Sequence, residues 1–285
     1  MRRTRHNKIA ILTSDWHLRE DAPDCRTDDF WEVQWGKVQY ISNLQKKYKC
    51  PVLHGGDLFH HWKPSPFLLA MAFRYLPDHF YTIYGQHDLP NHNYELRNKS
   101  GIYTLEMGNR LKVIDGGHWG SDWPGSFYDS GIGVWHKFIW DGDKLPWPGC
   151  EELTAVQALK KYNKDFDLIL TGDHHRPFTQ KYKGSILVNP GSLSRQASDY
   201  ALHKPRVYLY DGETVIPHYI PISVGVVSDV HVQLVRERED RLSAFIERIN
   251  TDWEVTLSFQ DNLNRFFSKN KVHPKVKKII YESLE

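Results

Sequence analysis

The sequence predicts an α/β fold, on three observations. Short β-branched and aliphatic runs recur along the first two thirds of the chain, amphipathic stretches with helical spacing separate several of them, and 285 residues of 40% hydrophobic composition can bury one large domain or a large and a small one. Strands that alternate with helices imply a sheet covered by helices.

The strand-like runs fall at residues 8–13, 51–54, 80–84, 111–114, 131–135, 167–170 and 185–188. Between the first two, Trp31, Trp35, Val38, Ile41, Leu44 and Tyr48 recur at spacings of three and four. Asp28 and Asp29 stand at the start of that stretch and Lys46, Lys47 and Lys49 at its end. That is an amphipathic helix whose end charges complement its dipole. A second helix is predicted from Ser65 as N-cap, with Pro66 in the first turn, to Leu76, and a third over 152–162. After about residue 212 a last strand-like piece, 213–227, leads into charged helical patterns at 235–249, 262–268 and 274–284. The expected organisation is a main domain of residues 1–212 and a small C-terminal appendage of residues 213–285.

Composition narrows the function. Lys and Arg number 37 against 35 Asp and Glu, so no overall field would hold a polyanion, and a nucleic-acid substrate needs local patches or a partner. Cys25, Cys50 and Cys150 are odd in number and form no C-x-x-C pair, which suits structural thiols in a reducing, cytoplasmic setting. The apolar run 9–12 behind the basic start is too short for a signal-peptide core, and no stretch reaches the ~20 apolar residues of a membrane span.

The chemistry sits directly after the strand-like runs: Asp15-Trp16-His17, Gly55-Gly56-Asp57, Gly85-Gln86-His87-Asp88, His136 and Gly172-Asp173-His174-His175. Loops at the carboxyl ends of strands in such a fold converge on one edge, so these residues can meet in one site. Each piece alone is weak, because a histidine after a strand is more often packed or solvated than a ligand. Five together point to divalent ions, which carboxylate and imidazole ligands suit and a carboxylate can bridge.

These blocks resemble those of the calcineurin-like metallophosphoesterases, which read D-x-H, G-D, G-N-H-D, H and G-H-x-H. Gly56-Asp57-Leu58-Phe59-His60 with Pro64-Ser65-Pro66, and Asn189-Pro190-Gly191-Ser192-Leu193, are similar to signatures of the SbcD-type DNA nuclease branch. The likeness covers about residues 8–211 and implies a central β-sandwich flanked by helices. It also implies two divalent ions, Mn2+ first and Mg2+ next. One ion would take Asp15, His17 and His175 and the other Gln86, His136 and Asp173, with Asp57 bridging. His87 would protonate the leaving oxygen, oriented by Asp88, and His60 would lie near the scissile phosphate. By the same resemblance the substrate is DNA, an SbcC-like ATPase is a partner, and a homodimer forms through helices near 66–76 and 93–107.

Two positions depart from the family pattern. Gln86 stands where the family has Asn, and Asp173 where it has the first His of G-H-x-H. Gln keeps the amide oxygen but adds a methylene, while Asp hardens the second ion site and favours Mn2+ or Mg2+ over Zn2+. His174 as ligand, with Asp173 behind it, is the alternative; Asp173 is preferred.

Outside the blocks, His54 reads as a core histidine and His61 as exposed. Trp119, Trp123, Trp135, Trp140 and Trp147 could stack on bases, but covering a core edge is the preferred reading. Trp16, between two ligands, and Arg176 and Arg195, with Lys181 and Lys183, are the expected substrate contacts. On the last two helical patterns, Phe266, Phe267, Val276, Ile279, Ile280 and Leu284 offer an apolar face for a partner or, more plainly, for the appendage itself. The expected function is metal-dependent hydrolysis of DNA; the competing readings are a phosphoesterase for a small nucleotide-like substrate and a catalytically weakened scaffold that still binds DNA.

Overall fold

A computed structural model describes residues 10–251 and 258–283, so residues 8–9 of the first expected strand, and Leu284, lie outside the described residues. The first half of the chain runs β1 (Ala10–Thr13), α1 (Phe30–Tyr48), β2 (Val52–His54), α2 (Pro66–Tyr75), β3 (Phe80–Thr82), α3 (Gly101–Met107) and β4 (Lys112–Val113). It continues with β5 (Gly125–Ser126), β6 (Ile132–His136), α4 (Ala155–Tyr162), β7 (Leu168–Gly172), β8 (Phe178–Tyr182), β9 (Ser185–Asn189), β10 (Arg206–Tyr210) and β11 (Val215–Tyr219).

The helices begin where local chemistry allows. The Asp29 side chain accepts from the amide of Glu32 at the start of α1, and Ser65 does the same for Leu68 at α2, with Pro66 in the first turn. Thr154 and Gln157 form a reciprocal capping box at α4, so that helix starts at Ala155 rather than at 152.

Two sheets stack as a sandwich. One is six-stranded, in the order β11-β10-β1-β2-β3-β4, and the other five-stranded, in the order β5-β6-β7-β9-β8. β1 to β4 are parallel, as are β6, β7 and β9; β10 and β11, and the edge strands β5 and β8, are antiparallel. Period-two alternation builds the layers. Ala10, Leu12 and Leu53 from one sheet meet Ile132, Val134, Leu168, Leu170, Ile186 and Val188 from the other. The intervening residues face outward: Ile11 and Val52 against α1 and α2, Trp135, Ile169 and Leu187 against α4. Each such aliphatic side chain, fully buried, contributes roughly 1.5–3 kcal/mol. Burial on both faces explains the continuous apolar runs in the sequence.

The chain divides into two compact units, residues 1–228 and 229–285. The expected boundary at 212 falls between β10 and β11, which pair over five residues from Arg206↔Tyr219 to Tyr210↔Val215. The next segment also belongs to the first unit: Thr27 N donates to Val226 O at 3.1 Å and Ser228 N to Cys25 O at 2.7 Å. Backbone pairing of 215–219 therefore moves the division later than composition suggested.

The second unit holds α5 (Val230–Thr251), α6 (Phe259–Lys269) and α7 (Pro274–Glu282). Leu263, Phe266 and Phe267 form its core, with Phe245, Ile280 and Tyr281 packed around them. The phenylalanines expected on an apolar face thus pack within the unit, whereas Val276 and Ile279 are exposed. Among the described residues, no helix is long and apolar enough to cross a membrane.

Candidate metal centre

The parallel strands of both sheets present their carboxyl ends to one edge, and each metal-ligand block follows such an end. His136 closes β6, Asp173 follows β7, Asp15 and Asp57 lie just past β1 and β2, and a 3-10 turn after β3 holds Gln86–Asp88. Cross-sheet hydrogen bonds join these loops: His136 Nδ1 lies 2.6 Å from Gly55 O, and Asp173 N donates to Asp15 Oδ1 at 3.0 Å. Asp15, His17, Asp57 and Asp173 all have left-handed backbones, at φ 52°, 45°, 57° and 81°. Such conformations cost on the order of 1–3 kcal/mol each and persist where surrounding structure imposes them, commonly at functional sites. Two glycines have steric reasons: a Cβ at Gly56, itself at φ 95°, would strike the His136 ring, and one at Gly85 would strike the Asp57 carboxylate.

Asp15, His17 and His175 form one group of donor atoms within 4.8 Å of one another, and Asp15, Asp57 and His136 form another. His17 Nε2 and His175 Nε2 lie 3.1 Å apart, and His175 Nε2 lies 3.8 Å from Asp15 Oδ1. Asp57 sits between the groups, its Oδ2 3.6 Å from His17 Nε2 and 3.6 Å from His136 Nε2. Asp15 Oδ2, Asp57 Oδ2 and His17 Nδ1 are buried and have no hydrogen-bond partner among the described residues. Buried carboxylate oxygens without donors are costly alone and are the atoms a divalent ion would satisfy, so the donor set fits such ions.

The electrostatics agree. Burial raises the Asp15 pKa against the pull of His175 and His136, and burial drives that of His17 well below the usual histidine value although Asp57 opposes it. His17 is therefore a neutral imidazole, the form that binds metal. Burial works against charge on Asp57 and His136 too, but their mutual attraction wins, lowering the Asp57 pKa and raising that of His136 to about 10.

Gln86 and Asp173 join this second group through hydrogen bonds. Gln86 Oε1 lies 2.6 Å from His136 Nε2, and Gln86 Nε2 donates to Asp173 Oδ1 at 2.8 Å. The longer glutamine side chain reaches between histidine and aspartate. His174 instead stacks on Phe138, with centroids 4.9 Å apart and planes at 6°, and its Nδ1 accepts from Arg176 N. This geometry favours Asp173 over His174 as the residue on the site.

His87 lies beside the first group, its ring 4.8 Å from that of His17, and its amide donates to Asp57 Oδ1 at 2.9 Å. Asp88 was expected to orient the His87 ring, and it does not. Its oxygens accept from the amides of Leu58, Phe59 and Gly85 at 3.0–3.2 Å, and burial and Asp57 raise its pKa to about 7. The His87 contact is the His60 carbonyl, 2.9 Å from Nδ1. Asp88 thus holds the 57–60 loop, and that loop holds His87. The His60 ring stacks on that of His87 at 5.5 Å and 21°, and burial, then Arg19, lowers its pKa to about 4.

Two expected substrate contacts are structural. Trp16 is 1% exposed, donates to Thr13 Oγ1 and packs edge-on against His54 and Phe80, because the left-handed residues on either side turn it into the core. Arg195 is 4% exposed and donates to the carbonyls of Ala201 and Ser223. Arg176 is exposed and near Tyr200, whose ring packs edge-on against His175. His54 is fully buried with Thr82 Oγ1 at 2.9 Å from Nδ1, and His61 is exposed, both as expected. Trp135 and Trp140 are core residues, while Trp123 and Trp147 are 49% and 45% exposed. Sequence reasoning missed Gln196, whose amide lies 3.3 Å and 3.4 Å from the carbonyls of Trp16 and His17; no motif marks it.

The profile of the calcineurin-like phosphoesterases matches residues 10–177, more than half of the chain, which spans all five blocks. The chain belongs to the calcineurin-like phosphoesterase family. Among solved structures, an archaeal phosphodiesterase aligns at 13% identity over 74% of this chain and 99% of its own, with a TM-score of 0.45. A putative 5'-nucleotidase from Staphylococcus aureus aligns at 14% identity over 81% of this chain and 58% of its own, with a TM-score of 0.41. A single mutant of Vps29 from Entamoeba histolytica aligns at 15% identity over 75% of this chain and 99% of its own, with a TM-score of 0.34. No curated protein sequence matches.

Proposed function

We propose that the chain is a metal-dependent phosphodiesterase that hydrolyses DNA, using two divalent ions with Mn2+ preferred to Mg2+. The observation that supports it most is Asp57 Oδ2, without a hydrogen-bond partner among the described residues and 3.6 Å from a histidine nitrogen of each donor group, so that this carboxylate could serve both ions. Asp15, His17 and His175 would hold one ion and Gln86, His136 and Asp173 the other. Such ions would supply an activated water and neutralise the phosphate.

The chain's own residues do the rest. The His60 carbonyl accepts from His87 Nδ1–H, which leaves Nε2 as the nitrogen that, in the imidazolium form, would give its proton to the leaving oxygen and return to the neutral Nδ1–H ring. Asp57 Oδ1, by accepting the His87 amide, ties that histidine to the bridging carboxylate. Arg176, exposed and next to His175 in the chain, is the basic side chain assigned here to contact a phosphate. DNA is favoured as substrate because both SbcD-like segments border the centre. The 56–60 stretch carries Asp57 and His60, and the 189–193 turn donates Ser192 N to His175 O and Leu193 N to Asp15 O, each at 3.1 Å. An SbcC-like ATPase would supply the grip that a nearly neutral chain lacks. Exposed Phe67, Phe73 and Met107 on α2 and α3 support a homodimer, and the free thiols Cys25, Cys50 and Cys150 support a cytoplasmic setting.

A scaffold role has one observation in its favour: Gln86, His136 and Asp173 are hydrogen-bonded to one another. The discriminating experiment is hydrolysis of end-labelled linear DNA and of bis-p-nitrophenyl phosphate with Mn2+, Mg2+ or EDTA. Metal-dependent DNA cleavage that His87→Ala lowers by roughly 10²–10⁴ is expected. Turnover of the small ester alone would move the substrate to a small phosphoester; silence on both would leave the scaffold.

A further inference from the structure

Behind the 192–196 segment, on the α1 side, lies a cavity of about 350 Å³ lined by Arg26, Lys37, Tyr40, Arg195, Ile220 and Pro221, among others. Arg26, Lys37 and Arg195 are 8%, 4% and 4% exposed, which is rare for such side chains without counter-charges. Among the described residues Asp28 is the one acid in this cluster, and both its oxygens are taken by Arg26, at 2.8 Å and 2.5 Å. The other contacts are with neutral atoms: Lys37 Nζ with Leu193 O and Ser194 Oγ at 3.0 Å, Arg26 with Arg195 O, and Arg195 with Ala201 O and Ser223 O. Arg195 Nε is buried and has no partner among the described residues. Burial, then the charges of Arg26 and Arg195, lowers the Lys37 pKa to about 7, as expected of a cation among uncompensated cations.

We infer that this cavity is a binding site for a small phosphate monoester, separate from the metal centre. Arg26 and Arg195 against one carboxylate leave an excess of one positive charge, which becomes two when Lys37 holds its proton, and a phosphate anion in the cavity neutralises that excess. The cavity is large enough for more than phosphate, and Tyr40, Ile220 and Pro221 form a wall for an organic body such as a nucleoside. It opens to solvent past exposed Pro221 and Ile222. The site does not depend on the substrate assigned to the metal centre.

The test is calorimetric titration of dAMP into the full chain in EDTA, with inorganic phosphate and a 5'-phosphorylated oligonucleotide as parallel probes. Expected is one dAMP per chain, with phosphate weaker. Arg195→Gln and the exposed rim variant Ser223→Glu should each weaken dAMP by at least about tenfold, equivalent to ~1.4 kcal/mol, while Asp57→Asn leaves it unchanged. Ser223→Glu keeps the test decisive if Arg195→Gln does not fold, because it changes an exposed side chain and retains the carbonyl that Arg195 uses. The inference is overturned by an absence of dAMP binding, by binding indifferent to Ser223→Glu, by binding lost in Asp57→Asn, or by binding confined to the oligonucleotide.

Discussion

The two halves of the metal centre are built from similar residues and prepared differently. Around Asp15, His17 and His175, buried atoms stand without partners, and His17 is held neutral by burial. Around His136, every donor already has an acceptor: Gly55 O faces Nδ1, Gln86 Oε1 faces Nε2, and Asp173 takes the other end of the Gln86 amide. The first half leaves Asp15 Oδ2 unpartnered and would give up one hydrogen bond, between the Nε2 atoms of His17 and His175, to bind a cation. The second would break two and release a proton first. Pre-organisation rather than ligand count therefore ranks the two sites, and the first should be the tighter.

The largest effect should come from removing what the halves share. Asp57→Asn should lower metal-dependent turnover by on the order of 10³ and weaken both ions, since the charge that joins them is lost. Turnover within about tenfold of wild type would mean that Asp57 does not bridge.

An intermediate effect separates the halves. Mn2+ titration should resolve a tight and a weak class of site, and Asp173→Ala should weaken the weak class by about 10- to 100-fold while sparing the tight one. Equal loss in both classes would erase the distinction.

The smallest effect is in proton linkage. His136 keeps its proton up to about 10, so an ion binding there displaces it, and affinity rises with pH. The weak class should tighten by at most about tenfold per unit between about pH 7 and 9, whereas the tight class, resting on His17 with its lowered pKa, should stay flat. Parallel slopes would show that the two histidines start in the same protonation state.

Sequence reading served best where the signal is local. The α1 and α2 boundaries follow caps and apolar spacing, and the ligand blocks could be placed because each follows a short apolar run. It served least where a side chain's surroundings come from distant residues. Trp16 looked available because it lies between two ligands, and Arg195 because it follows the last ligand block, yet both are buried, by contacts that include Phe80 for Trp16 and the Ser223 carbonyl for Arg195. Asp88 is the partner of His87 that the family resemblance implies, but its oxygens accept backbone amides of Leu58, Phe59 and Gly85, and a carbonyl 27 residues away contacts the His87 ring.

The amino-acid sequence by itself determined the α/β class, the starts of α1 and α2 and the residue types of the metal centre, because period, capping and ligand chemistry are properties of short stretches. Tertiary structure alone decided that β11 belongs to the main unit, that Gln86 bridges His136 and Asp173, and that three cations share a cavity behind the centre. The physical reason is that backbone pairing, burial and charge compensation depend on which distant segments meet, and no window of sequence contains both partners.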